Sequence, residues 1–198
     1  MKKDKVILVD ADGVLLNWEY AFGEWMAYHG HTPVENHSQF YKIREKYGLA
    51  FDAQGDQMIR NFNESAAIGF LPPLRDAQYY VKLLSEKHQY KFLAVTSLSK
   101  NEYAQTLRQR NLAKLFGDCF IDVICLDTGA DKDEILAELA TEYKGSYWVE
   151  DKPENADVGL ACGFKSLLVE HAHNMQYQGD AVIVKDWEQI YNIVTSGE

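Results

Sequence analysis

The chain has 198 residues, 46% hydrophobic and 25% charged, which excludes a disordered or low-complexity chain. Twenty Lys+Arg against thirty Asp+Glu leave a net charge of −10. That balance disfavours long nucleic acid and anionic membranes as partners, yet allows a small phosphorylated substrate held through a metal ion. The three scattered cysteines Cys119, Cys125 and Cys162 form no CxxC pair, and no apolar run approaches a membrane span, so a cytoplasmic protein without disulfides is expected.

In chain order, Val6-Ile7-Leu8-Val9 predicts a buried strand that ends in the turn Asp10-Ala11-Asp12-Gly13. From residue 17 to 74 the texture changes. Eleven aromatics lie between Trp18 and Phe70. Phe22, Trp25 and Met26 have helical spacing, as do Phe40, Ile43 and Tyr47, and no strand alternation occurs. A small inserted helical cap is therefore expected over residues 17–74, closed by Pro72-Pro73. The remaining core, residues 1–16 and 75–198, reads as alternating helices and strands. Ala77, Tyr80, Val81 and Leu84 mark a helix, and Phe92 to Val95 a strand ending at Thr96-Ser97. A helix from about Lys100 to Leu115 is closed by Gly117, and Phe120 to Leu126 is the next strand. Ile135 to Tyr143 carry a helical stripe, and Tyr147-Trp148-Val149 is a strand ending in Glu150-Asp151. Ser166 to Val169 and Ala181 to Val184 read as strands, and Trp187 to Val194 as the closing helix. The fold class is α/β: a Rossmann-like parallel sheet with helices on both faces, whose ligands bind beyond the carboxyl ends of the strands.

Four polar features sit at those ends or at a helix start: Asp10-x-Asp12-Gly13, Thr96-Ser97, Lys132 and Glu150-Asp151. Each alone has a bland reading as a turn, a helix cap, a solvated lysine or a loop acid pair. Together they suit phosphoryl transfer. Carboxylates alone would repel a phosphate monoester; a divalent cation between Asp10 and Asp151 reverses that sign, and Mg²⁺ suits an all-oxygen site. Asp10 can then attack phosphorus and form an aspartyl-phosphate. Asp12 can protonate the leaving oxygen and later deprotonate the attacking water. Thr96 offers a hydroxyl to a phosphate oxygen, and Lys132 a point charge.

This ordered set resembles the four-motif signature of the haloacid dehalogenase superfamily of phosphohydrolases. The resemblance covers the whole chain. It implies a Rossmann-like core, a helical cap inserted after the first motif, and Mg²⁺ dependence. By position it makes Asp10 the nucleophile, Asp12 the general acid/base and, through its backbone carbonyl, a metal ligand. Thr96 and Lys132 become phosphate ligands and Asp151 the second metal carboxylate. Within the superfamily, the stretch Asp10 to Glu19, Leu71-Pro72-Pro73, Thr96-Ser97 and Glu150-Asp151-Lys152-Pro153 are similar to the 5′-deoxyribonucleotidases. Leu98 stands where that family has proline, and Glu150 where it tends to have aspartate. The likeness implies a nucleoside 5′-monophosphate substrate, with Trp18 stacked on the base and Ser97 on the phosphate. Phe22 and Trp25 are further aromatic candidates on a compatible helical face. A sugar phosphate or a nucleic acid 3′-phosphate end is the alternative substrate. A non-catalytic phosphate-binding module is disfavoured because both Asp10 and Asp12 are present. His29-Gly30-His31 and His171-Ala172-His173 lack ligand partners in the sequence, and Asn155 is placed to orient the metal or its water.

Overall fold

The structure, a computed structural model, describes residues 5–196. Strand β1 (Lys5–Val9) is followed by a long helical stretch. This holds α1 (Trp18–Tyr28), α2 (Ile43–Tyr47), α3 (Asp52–Asn63) and two short 3₁₀ turns at His37–Gln39 and Ala66–Phe70. The chain then alternates: α4 (Ala77–His88), β2 (Tyr90–Ser97), α5 (Glu102–Phe116), β3 (Phe120–Leu126), α6 (Asp133–Tyr143), β4 (Tyr147–Glu150), α7 (Pro153–Ala161), β5 (Lys165–Val169), β6 (Val182–Val184) and α8 (Trp187–Thr195).

All six strands pair in parallel, in the order β3-β2-β1-β4-β5-β6. β1 lies between β2 and β4, with Val9 level with Ala94 on one side and Val149 on the other. Both faces of the sheet are covered, which is why the strands are near-continuous apolar runs rather than alternating ones. Ile7, Val9, Phe92, Ala94 and Val149 point into one buried cluster; Val6, Leu8, Leu93, Val95 and Trp148 point into the other. The first cluster takes in Val81 and Leu84 of α4, Leu112 of α5 and Ile190 of α8, and continues through Leu15, Leu16 and Leu71 to Phe22, Met26 and Phe62. The helical stretch after β1 thus shares its hydrophobic core with the sheet.

That stretch leaves and rejoins the sheet at one place. Asn17 N–H donates to the Pro72 carbonyl (2.9 Å) and Leu74 N–H to the Leu15 carbonyl (2.8 Å). The two crossing points are therefore tied together. Asn17 also caps α1 by accepting from Tyr20 N–H. Gly117 ends α5 in a positive-φ conformation (77°), as the spacing of the preceding helix implied. Two expectations fail locally. Phe40 is extended, so the helix expected across Phe40, Ile43 and Tyr47 spans Ile43–Tyr47 alone. α7 follows Glu150-Asp151 directly, where no helix was expected. Among the described residues no helix is long and apolar enough to cross a membrane, and the three cysteines are free.

Candidate active site

A parallel sheet delivers all its carboxyl ends to one edge. Because β1 sits between β2 and β4, the residues following these three strands converge there. Of the eight site residues expected from sequence, Asp10, Asp12, Trp18, Thr96, Ser97, Lys132 and Asp151 line one cleft of about 1080 Å³. Phe22 does not. It is buried at 2% exposure, stacks on Trp18 (centroids 4.6 Å apart, planes 11° apart) and meets Phe62 edge-on. The expectation of Phe22 as a substrate contact is corrected: it backs Trp18 within the aromatic core.

The turn after β1 is shaped by Gly13, whose φ of +74° favours glycine. A second constraint acts there. A Cβ on Gly13 would lie 2.2 Å from Asp151 Oδ2. The carboxylate of Asp151 can approach the Asp10–Asp12 turn only because that atom is missing. Oxygens of Asp10, Glu150 and Asp151 come within 4.8 Å of one another.

Lys132, at the start of α6, is buried between two of these acids, 3.0 Å from Asp10 Oδ1 and 2.8 Å from Glu150 Oε2. Burial alone would discharge it, but the carboxylates of Asp10 and Glu150 outweigh that effect and hold its pKa above the ordinary lysine value. Glu150 is saturated by the protein. Oε1 accepts from the backbone N–H groups of Asp151 (3.0 Å) and Lys152 (3.1 Å), and Oε2 from Lys132 and from Asn155 Nδ2 (3.2 Å). Burial opposes its ionisation, but Lys132 and these donors hold its pKa below the usual value. Asn155, expected near the metal, thus acts on Glu150.

Asp10 and Asp151 are left with an electrostatic deficit. Burial pushes the Asp10 carboxyl up to about 8; Lys132 opposes the rise, while Glu150 and Asp12 add to it. Burial, then the charges of Glu150 and Asp10, pushes Asp151 well above the usual carboxylate range. Three clustered carboxylates, two of them buried, share one ammonium, so two negative charges lack compensation when all are ionised. A divalent cation fits that donor set and charge; Glu150 is already satisfied, and Asp10, whose Oδ1 takes Lys132 and Ala11 N–H (2.7 Å), and Asp151 are the acids left to hold it. The carboxylate of Asp12 is engaged elsewhere, which leaves its backbone carbonyl as the donor expected from that residue.

Thr96 is fully buried, and its Oγ1 has no hydrogen-bond partner among the described residues. A hydroxyl at the cleft without a partner is free to donate to a ligand oxygen. Ser97 is placed differently: its Oγ donates to the Ala130 carbonyl (2.8 Å) and ties the loop before Lys132 to β2. Trp18 lines the cleft with its indole N–H donating to Asn63 Oδ1 (3.0 Å). Asn63 is itself buried and donates through Nδ2 to the Leu98 carbonyl (3.0 Å), just past Thr96-Ser97. The amide thus links the indole to the loop that carries Thr96.

Three residues at the site were not singled out from sequence as parts of it. Arg108 of α5 is completely buried and forks onto Asp12, with Nη1 to Oδ1 at 2.6 Å and Nη2 to Oδ2 at 3.0 Å. The available signal was a pair of polar residues, Arg108 and Asn111, on the buried face of an amphipathic helix. His171 and His173 follow β5 and stack on each other at 5.4 Å. His171 Nε2 is 2.7 Å from the Gly13 carbonyl, and His173 Nε2 is 3.8 Å from Asp151 Oδ2. Burial lowers both imidazole pKa values. Their place at a strand end was the signal. His29 and His31 stand apart from the cleft lining.

No protein-family model matches the chain. A 32.4 kDa uncharacterized protein from the Gp30-rIII intergenic region of Enterobacteria phage T4 is 29% identical over 157 residues, 76% of this chain; the match spans 55% of the phage protein's length. Solved structures share the architecture at low identity. A haloacid dehalogenase-like family hydrolase from Streptococcus pneumoniae superposes with a TM-score of 0.66 at 14% identity, covering 98% of this chain and 100% of that one. A HAD family hydrolase from Deinococcus radiodurans with bound phosphate and sodium gives 0.60 at 19% identity, covering 99% and 97%. The L-2-haloacid dehalogenase of Xanthobacter autotrophicus gives 0.62 at 11% identity, covering 96% and 98%. The chain has the α/β fold of the haloacid dehalogenase-like hydrolases.

Proposed function

We propose that the protein is a Mg²⁺-dependent phosphomonoesterase that forms an aspartyl-phosphate on Asp10, and that its substrates are nucleoside 5′-monophosphates. The observation that carries the reaction class is the pair of aspartates on one turn with opposite surroundings: Asp10 buried against Lys132 and the other acids, Asp12 held open to the cleft by Arg108. Bound Mg²⁺ supplies charge that keeps Asp10 and Asp151 ionised and draws the phosphate in. In this reading Asp10 attacks phosphorus through a carboxylate oxygen while the ester P–O bond breaks. Asp12 gives its proton to the departing oxygen. A water then attacks phosphorus, its proton passes to Asp12, and the bond to Asp10 breaks. Lys132 and Thr96 Oγ1 hold the phosphoryl oxygens. A dehalogenase on this fold would release a halide, which needs no proton, so Asp12 would serve only the attacking water, whereas a phosphatase that expels an alkoxide uses Asp12 in both halves of the reaction. The residue pair therefore favours the phosphatase over the dehalogenase reading.

The indole of Trp18, stacked on Phe22 and aligned by Asn63, supports a planar leaving group. The test is a phosphomonoester screen with Mg²⁺ and detection of released phosphate, on the wild type and Trp18→Ala. Nucleoside monophosphates are expected to show higher kcat/KM than sugar phosphates, and the variant to lose about 1–3 kcal/mol of that preference, the worth of one stacked base. Equal losses for every substrate would make Trp18 a support for the helices. Faster turnover of a sugar phosphate by the wild type would move the assignment to that substrate.

A further inference from the structure

The least expected contact at the site is the fork of Arg108 on Asp12. A buried guanidinium is costly to desolvate, and an apolar side chain on the inner face of α5 would fill the space with less penalty. Among the described residues its Nε has no partner, so Asp12 is the group that compensates its charge. The helix that carries it is fixed at two further points: Asn101 caps its first turn, and Asn111 Nδ2 donates to the Leu71 carbonyl at 3.1 Å. Asp12 is thereby held from a rigid element across 96 positions of sequence. Both carboxylate oxygens are engaged from the same side, which fixes the plane of the group as well as its position. Lysine, with one point charge, cannot do this.

We propose that Arg108 is a positioning residue for proton transfer: its fork aims the Asp12 carboxylate at the cleft, where it exchanges a proton with the leaving oxygen and then with the attacking water. This rests on the reading of Asp12 as general acid/base. It separates Arg108 from residues that merely hold the fold, because the two halves of the reaction depend on Asp12 unequally. With p-nitrophenyl phosphate the departing p-nitrophenolate needs no proton, so transfer to Asp10 bypasses Asp12. Hydrolysis of the phosphoenzyme still requires water to give up a proton to Asp12.

The test follows p-nitrophenolate release in the presence of Mg²⁺ by rapid mixing, in wild type, Arg108→Met, Arg108→Lys and Asp12→Asn. Both Arg108 variants are expected to keep a burst of one p-nitrophenolate per site, while the steady rate after it falls about 10–100-fold; KM falls with it, because dephosphorylation limits turnover, and kcat/KM stays within a few-fold of wild type. Asp12→Asn is expected to show the same pattern with a larger fall, on the order of 10²–10⁴. A wild-type steady rate in Arg108→Lys, or burst and steady rate falling together in either variant, overturns the positioning role while Asp12→Asn still shows the split. If Asp12→Asn shows no split, the reading of Asp12 itself is wrong. Should Arg108→Met not fold, the lysine variant decides, since it retains the charge and removes only the fork.

Discussion

Replacing Gly13 by alanine tests the geometry of the acid cluster most directly. Two costs arise. The residue sits at φ +74°, where a side chain costs roughly 1–2 kcal/mol. The new Cβ would also lie 2.2 Å from Oδ2 and 2.6 Å from Cγ of Asp151, so the carboxylate must retreat by more than an ångström to reach ordinary contact. Mg²⁺ holds its oxygens at about 2.0–2.1 Å and tolerates little deviation. A retreat of that size removes Asp151 from the metal site. Gly13→Ala should therefore raise the Mg²⁺ concentration for half-maximal activity at least about tenfold, in the range of losses seen when a metal ligand's support is removed. The backbone cost should lower Tm by about 2–8 °C for a chain of this size. Phosphate release at graded Mg²⁺, beside thermal unfolding in chelator, reads both. A lowered Tm with an unchanged Mg²⁺ requirement would refute the claim that Gly13 makes room for Asp151, leaving only its backbone role.

Three further outcomes are expected. Asp10→Asn keeps the shape of the side chain and removes the attacking charge, so turnover should vanish while the fold survives; retention of more than a few per cent of the rate in a phosphate-release assay would rule out the covalent route. Lys132→Met leaves Asp10 and Glu150 buried without their shared cation, which should cost about 3–5 kcal/mol in chemical denaturation measured in chelator; a smaller loss would mean that these acids are less dependent on Lys132 than their distances imply. The third concerns pH. Between pH 6.5 and 8 an Asp10 held up to about 8 keeps its proton in much of the folded chain and has lost it in the unfolded one, while the two lowered histidines, neutral when folded, still take up protons in the unfolded chain to about pH 7.5 and oppose that effect. Stability of the metal-free protein should then fall as pH rises from about 7.5 towards 8, by up to about 1.4 kcal/mol per pH unit for each such proton. Asp151 adds to the same slope, whereas Glu150 and Lys132 are charged in both states across this window. Mg²⁺ should flatten the slope and release protons on binding, seen by calorimetry in buffers of different ionisation heat; a flat metal-free profile would contradict the raised values.

The strand framework was legible because burial on both sheet faces forces uninterrupted apolar runs, and each run stops at a polar residue at the carboxyl edge of the sheet. Asp10, Thr96 and Asp151 could be picked out for that reason alone. α7 was not legible because its packing is tight rather than bulky. A Cβ on Gly159 would lie 2.3 Å from the Trp148 ring, so the helix presents small residues where a periodic stripe of large ones would have signalled it. α3 was hidden for a related reason: its buried positions include Gly55 and Asn63, neither of which reads as core. Phe22 and Trp18 looked alike as aromatics one turn apart, and only the third dimension puts one behind the other. The partnership of Arg108 with Asp12 joins residues with no local pattern in common.

The positions that were hidden have a shared physical character. The carboxylates of the candidate site sit at strand ends, where the sequence marks them, but their protonation and aim depend on groups that arrive from elsewhere: Lys132 from α6, Glu150 from β4, Arg108 from α5, Asn63 from α3. One of these groups, Glu150, is placed by strand register, as is Thr96. Val9 stands level with Ala94 and with Val149, which puts Asp10 beside the chain that leads into Thr96 and beside Glu150 at once. A slip of β1 by one residue against either neighbour would turn its side chains to the opposite face. It would carry Asp10 away from Lys132 and break the contact between Gly13 and Asp151. The apolar alternation of β1, with Ile7 and Val9 committed to one cluster and Val6 and Leu8 to the other, forbids that slip. The core that stabilises the sheet is therefore also what sets the spacing of the acids at its edge.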